Sequence, residues 1–249
     1  FVKELDSRKA LDGVRLSGCE NGDIRWFNKS YSRAVLGDPL VRTRLGALDI
    51  HSYCLHMPIP FFNNRMSFLK RFAKWMSKNY PDVPVNMSEW THMQGGRDKG
   101  MDSALVTANV MYEDLSVLNV ISWQHWIAVS EVNYCDGLIY INLDDKTFEM
   151  TKRYYVTGNF SKYVPAGSVR VDAACDDPEL RLLAFKYDGG CAVIVINSTE
   201  KEKELSLPEQ YSAVKSAVTD DNNDLREYDI ADPGHIKITP RSVTTIILR

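Results

Sequence analysis

Two periods run through the apolar positions of this chain, and they change over near Pro165-Ala166-Gly167. Before that point short apolar runs alternate with amphipathic segments. Residues 1–12 predict a helix that Gly13 stops, and 14–18 predict a strand. Cys19 to Asp23 read as a polar loop, and the stretch around Trp26, Phe27, Tyr31 and Arg33 as helix-poor. Residues 45–53 predict the next strand, ending in His51 and Tyr53, and Pro58 and Pro60 then break the chain. Met66, Leu69, Phe72, Ala73 and Met76 recur at helical spacing, so 65–80 predict an amphipathic helix. Residues 84–90, Pro-Val-Asn-Met-Ser-Glu-Trp, predict a short buried strand, closed by a turn signal at Gly95-Gly96. Asp102 is the expected cap of a helix reaching Leu115, and 117–123 predict a fourth strand. Strand and helix alternate, which implies parallel β/α units.

From Ser168 the period falls to two. Short strands are predicted at 169–171, 182–187, 192–197, 213–219, 236–239 and 243–248, with Asp188-Gly189-Gly190 as a hairpin turn. This pattern implies an antiparallel β-sandwich. Asp220 to Asp224 read as a solvated loop. The expected fold class is therefore α/β plus all-β, with domains at 1–163 and 164–249.

Composition narrows the function classes. The chain has 249 residues, 44% hydrophobic and 25% charged, an ordinary globular balance. A net charge of −3 gives no reason to expect a nucleic acid or an anionic membrane as partner. No run approaches the roughly 18 apolar residues of a membrane span. Phe1 to Leu5 are neither a charged nor an apolar leader region. They read as the end of a helix already under way, so a fragment of a longer product is expected. Cys19, Cys54, Cys135, Cys175 and Cys191 are odd in number and far apart, which argues against structural zinc and a disulfide framework. Export remains compatible with that. The sequons at Asn28, Asn86, Asn159 and Asn197 read as chance matches, two of them inside predicted strands.

The candidate chemistry lies where the first four strands end, at Glu20, His51 and Tyr53, Glu89 and Trp90, and Trp123, Gln124 and Trp126. In parallel α/β barrels that end carries the catalytic residues. Glu89 is the candidate nucleophile of a retaining glycosidase; its bland reading is a surface acid after a strand. His51 and Tyr53 share one side of their strand, either facing a lumen or packed as core. Trp123 and Trp126 are candidate sugar platforms, since aromatic faces pack on the apolar face of a pyranose; one of the pair can equally be core. Gln124 is a hydrogen-bonding candidate, and Trp90 serves packing or binding alike. His92 and His125 show no metal-ligand spacing, and the chemistry needs no metal or cofactor.

Four groups of residues carry a family resemblance. They are Ser88-Glu89-Trp90; Gly100-Met101-Asp102-Ser103-Ala104-Leu105; Ser122-Trp123-Gln124-His125-Trp126 through Ser130, with Asp136 to Tyr140; and Lys152 to Tyr163 leading into Pro165-Ala166-Gly167-Ser168-Val169-Arg170. The chain resembles the carboxyl-terminal half of a glycoside hydrolase family 30 enzyme, a (β/α)8 TIM barrel with a β-sandwich side domain. The resemblance covers nearly the whole chain, and its tryptophan-rich segment is most similar to endo-β-1,6-galactanase-like members. It implies that Glu89 is the nucleophile at the end of the seventh barrel strand. It also implies that the acid/base sits in an Asn-Glu pair at the end of the fourth. No Asn-Glu pair occurs here, so that residue is expected outside this chain. Glu20 is then expected to contact substrate hydroxyls, and Asp136 and Tyr140 to shape the loop after the eighth strand. The implied substrate is a β-linked polysaccharide, β-1,6-galactan first, with β-1,6-glucan and glucuronoxylan as alternatives. The implied site of action is secreted or periplasmic. A non-catalytic carbohydrate-binding fragment is the reading from another class.

Overall fold

A computed structural model describes residues 1–22, 24, 31–53, 64–208 and 211–249. Trp26, Phe27, Asn28, Cys54, Pro58 and Pro60 lie outside the described residues. The chain packs as two compact units, Phe1–Met93 with Glu113–Trp126, and Gln94–Tyr112 with Ile127–Arg249.

The first unit begins with α1 (Val2–Ser7), β1 (Leu16–Asn21), α2 (Tyr31–Gly37), α3 (Pro39–Arg44), β2 (Leu45–His51), α4 (Arg65–Asn79) and β3 (Val85–Trp90). The chain then runs through α5 (Met101–Glu113), which belongs to the second unit but for Glu113, and returns to the first with a π-helical turn, Asp114–Leu118, and β4 (Ser122–His125). β1 to β4 form one parallel sheet in chain order. Parallel neighbours need helical crossovers, and α2 to α5 supply them. Along β3 the side chains alternate: Val85 and Met87 are buried, while Asn86 and Ser88 are half-buried. α4 buries Leu69, Phe72 and Met76 at the expected spacing and is capped by the Asn64 side chain, which accepts from Ser67 N.

Several expectations about the first half are corrected. α1 stops at Ser7, and turns continue to Gly13, whose φ is +73°. Glu20 is on a strand rather than in a loop, because β1 stays paired with β2 as far as Asn21 and Ile50. The stretch from Tyr31 is helical rather than helix-poor: Asp38 accepts from Leu40 N and Val41 N, and Pro39 opens α3. The fourth strand starts at Ser122 rather than 117, because the π-helical turn runs to Leu118 and ends on Asn119 at φ +54°. Asp102 does not cap α5. The Asp98 carboxylate accepts from Gly100 N and Ser103 N, and Asp102 instead pairs with Arg241.

The second unit holds β5 (Val129–Ser130), β6 (Ile139–Asn142), β7 (Thr147–Met150) and α6 (Lys152–Ser161). After them come β8 (Val169–Val171), β9 (Leu180–Tyr187), β10 (Gly190–Asn197) and β11 (Lys203–Leu205). β12 (Ala213–Thr219), β13 (Arg226–Asp229), β14 (Ile236–Ile238) and β15 (Ser242–Leu248) complete it. A six-stranded antiparallel sheet runs β13-β12-β15-β10-β9-β8. Its central strand β10 splits its side chains by period two. Val193 and Val195 meet Leu205, Ile236 and Ile238 of the β11–β14 pair, while Ala192 turns to the opposite face with Ala217 and Tyr163. α6 lies on that second face, where Asn159 Nδ2 donates to the Ala217 carbonyl and the Thr245 hydroxyl donates to the Asn159 carbonyl. Gly158 permits the approach, since a Cβ there would sit 2.8 Å from Leu225 Cδ2. The hairpin at Gly189 forms as the turn signal implies, with φ +83°.

Two features of this unit were not read from sequence. β5, β6 and β7 form a small sheet of their own between β4 and α6. The Asp220 loop is not merely solvated: the Asp220 carboxylate accepts from Asn222 N, Asn223 N and the Thr239 hydroxyl, each at 2.8 Å.

Candidate active site

The end of β3 brings the predicted acid into a polar cluster on one face of the parallel sheet. Register shifts between Ile50 and His51, and between Met87 and Trp90, re-aim the side chains there. The Tyr53 hydroxyl donates to Glu89 Oε1 at 2.8 Å. His51 Nδ1 is 3.6 Å from the same oxygen, and His51 Nε2 is 2.8 Å from Glu20 Oε2. The Ser88 hydroxyl also donates to Glu20 Oε2, at 2.6 Å. The His51 and Tyr53 rings meet edge-on with centroids 5.8 Å apart. Among the described residues Glu89 Oε2 has no hydrogen-bond partner, and the side chain is 28% exposed. One carboxylate oxygen is therefore held by a donor, and the other has none among the described residues.

Nearer the amino ends of the strands, a polar row supports this cluster. The Ser17 hydroxyl donates to Asp49, Asn86 Nδ2 donates to Asp49 Oδ1, and the Ser122 hydroxyl donates to Asn86 Oδ1. One residue from each of the four strands is tied in, and Asp49 is 5% exposed. Buried polar groups keep their place only when partnered, so the row fixes strand against strand.

The aromatic candidates separate. Trp90 is 1% exposed and packs 5.9 Å from the Trp123 ring, so it forms part of the floor and presents no face to solvent. The Trp123 indole N–H donates to Asp114 Oδ2 at 3.0 Å, and its ring lies 6.2 Å from His125. Gln124 is exposed. Trp126 is 50% exposed, and its backbone N–H donates to the Trp90 carbonyl. Asp114 is fully buried and also accepts from Arg65 and Ser52. Burial pushes its carboxyl up, against the pull of the Arg65 guanidinium and its three donors. Sequence reading missed Ser88, Asp114 and the polar row; each is a polar residue defined by partners on other elements. Burial likewise pushes the Cys19 thiol up.

Among the described residues no group of three or more His, Cys, Asp or Glu side chains is arranged to hold a metal ion. Among them, too, no helix is long and apolar enough to cross a membrane.

Comparison with known proteins bears on this geometry. Residues 26–140, which contain His51, Tyr53, Glu89 and all three tryptophans of the cluster, match the model of O-glycosyl hydrolase family 30. Over this segment the chain is similar to glycoside hydrolase family 30. The lysosomal acid glucosylceramidase of Mus musculus is 23% identical over 205 residues, 74% of this chain and 37% of its own. A conserved exported protein from Bacteroides fragilis superposes with a TM-score of 0.80 at 18% identity, over 99% of this chain and 58% of that one. The catalytic domain of a family 30 xylanase from Talaromyces cellulolyticus gives 0.75 at 16%, over 100% and 56%. A family 30 subfamily 8 xylanase from Clostridium acetobutylicum gives 0.70 at 19%, over 97% and 57%. The chain thus has the fold of family 30 enzymes, whose catalytic domain is a TIM barrel, and spans little more than half the length of these structures.

Proposed function

We propose that this chain is the carboxyl-terminal half of a retaining glycosidase, with Glu89 as nucleophile and the acid/base on a segment outside it. The observation that carries the proposal is the state of Glu89: Oε1 is held by Tyr53, Oε2 has no donor among the described residues, and both lie at a strand end within the family match. In double displacement Oε2 attacks the anomeric carbon and forms a glycosyl-enzyme ester. Water then breaks the ester, with the second carboxyl group, about 5–5.5 Å away, acting first as acid and then as base. Trp126 offers a solvent-facing ring for a sugar, with Gln124 and Trp123 beside it in sequence. Residues 1–163 are read as half a (β/α)8 barrel, about strands five to eight, and 164–249 as its β-sandwich side domain.

The proposed substrate is a β-linked polysaccharide, β-1,6-galactan before β-1,6-glucan or glucuronoxylan, met outside the cell or in the periplasm. Relatives named as xylanases, a glucosylceramidase and an exported protein support the class and the place. The test is product release from the three polymers by the complete polypeptide, its Glu89→Gln variant and the 249-residue chain alone. Oligosaccharides from galactan with the complete polypeptide, and none with the other two, are expected. Binding without release by the complete polypeptide would favour a non-catalytic carbohydrate-binding protein instead.

A further inference from the structure

We infer that Glu20 is a positioning residue, which holds His51 and Ser88 and through them fixes the Glu89 carboxylate. The inference rests on Glu89 as nucleophile. Its ground is that one oxygen, Glu20 Oε2, accepts from His51 Nε2 at 2.8 Å and from the Ser88 hydroxyl at 2.6 Å. Ser88 directly precedes Glu89 on β3, and the other nitrogen of His51 faces Glu89 Oε1 at 3.6 Å. Glu20 thus reaches Glu89 by two routes, one along the strand and one through the imidazole.

The imidazole route has a chemical consequence. With a carboxylate accepting at Nε2, a neutral His51 carries its proton there and turns a lone pair toward Glu89. A protonated His51 donates at both nitrogens. In either case the ring plane is fixed by Glu20, and Glu89 Oε1 meets a defined neighbour besides Tyr53. Glu20 itself sits at φ +55°, a conformation that residues other than glycine seldom adopt. Its other oxygen has no partner among the described residues, and the side chain is 57% exposed. A carboxylate so exposed has two rival roles, contacting substrate hydroxyls or serving as the acid/base. Both predict different kinetics from positioning.

The experiment is a double-mutant cycle on the complete polypeptide, with Glu20→Gln, His51→Gln and the pair. Each is assayed on galactan and on an aryl β-galactoside with a good leaving group, beside Glu89→Gln. Positioning predicts that Glu20→Gln lowers kcat about tenfold on both substrates, and leaves KM within about twofold. It also predicts that the losses are less than additive: adding Glu20→Gln to His51→Gln costs less than Glu20→Gln alone, since one of the two routes is already cut. A raised KM with unchanged kcat and additive losses would overturn it in favour of substrate contact. A loss on galactan that spares the aryl galactoside would overturn it in favour of the acid/base role, and wild-type kinetics in Glu20→Gln would overturn it outright. Ser88→Ala, which removes only the strand route, gives the same cycle with Glu20→Gln should His51→Gln fail to fold. Turnover by Glu89→Gln would sink the nucleophile reading itself and is separate from all of these outcomes.

Discussion

At the scale of single residues, the proposed chemistry rests on how unequally the two oxygens of Glu89 are treated. Tyr53 donates to one at 2.8 Å and nothing described holds the other. Tyr53→Phe removes the only O–H donor on Oε1 among the described residues while keeping the ring that meets His51 edge-on. Hydrogen bonds to charged acceptors are the strong ones. The expected outcome is a kcat on galactan lower by about tenfold with KM little changed; an unchanged kcat would mean that this bond does not serve the reaction. Glu89, His51 and Tyr53 were legible in the sequence because strand ends in parallel α/β units expose their last residues. Trp90 was not resolved, since its type suits burial and sugar stacking equally, and only its 1% exposure decides. Ser88 and Asp49 gave no signal: a serine or an aspartate in a strand is defined by partners on other strands, and these lie 68 residues away for Ser88 and Glu20.

At the scale of elements, the strands with apolar alternation were read nearly to the residue. β9, β10 and β15 stand out because each carries a run of buried residues, on both faces in β10 and β15. β11 and β13 were missed, having three and four residues respectively and little apolar content. The displacement of β4 to Ser122 comes from Asp114, whose buried carboxylate draws in Arg65 of α4 and Trp123 of β4. No helical or strand period encodes that. The end of α6 is tied to β13 by charge: Lys162, Tyr163 and Lys215 all donate to Glu227, and hold its carboxyl down to about 2. A lowered carboxylate contributes stability above its unfolded value of about 4.3 and loses it as the pH falls through the folded value. Because Glu227 is exposed, solvent screening limits the effect to less than about 1 kcal/mol. Glu227→Gln is therefore expected to unfold at slightly lower urea than wild type at pH 7, with the gap closing between about pH 4 and pH 2. A gap that persists at pH 2 would show that the difference is not electrostatic.

At the scale of the whole molecule, two compact units are built from one chain that covers 56–58% of three solved relatives. β1 and β4 are the outer strands of the parallel sheet, each with one edge unpaired within that sheet. Open edges of this kind invite further strands, and the proposed companion segment would supply them. The alternation of strand and helix made the barrel-like half legible, and the switch to period two made the antiparallel half legible. The packing into units was not, because α5 groups with elements that come later in the chain while the segment that follows it, from Glu113 to Trp126, returns to the first unit. The central claim is that Glu89 forms a covalent bond to the sugar. Its most direct test is to incubate the complete polypeptide with an activated 2-deoxy-2-fluoro-β-galactoside, whose glycosyl-enzyme ester turns over slowly, and to map the adduct by mass spectrometry of peptides. The account predicts a single added fluorosugar on the peptide carrying Ser88-Glu89-Trp90. A sugar found on any other carboxylate would contradict it.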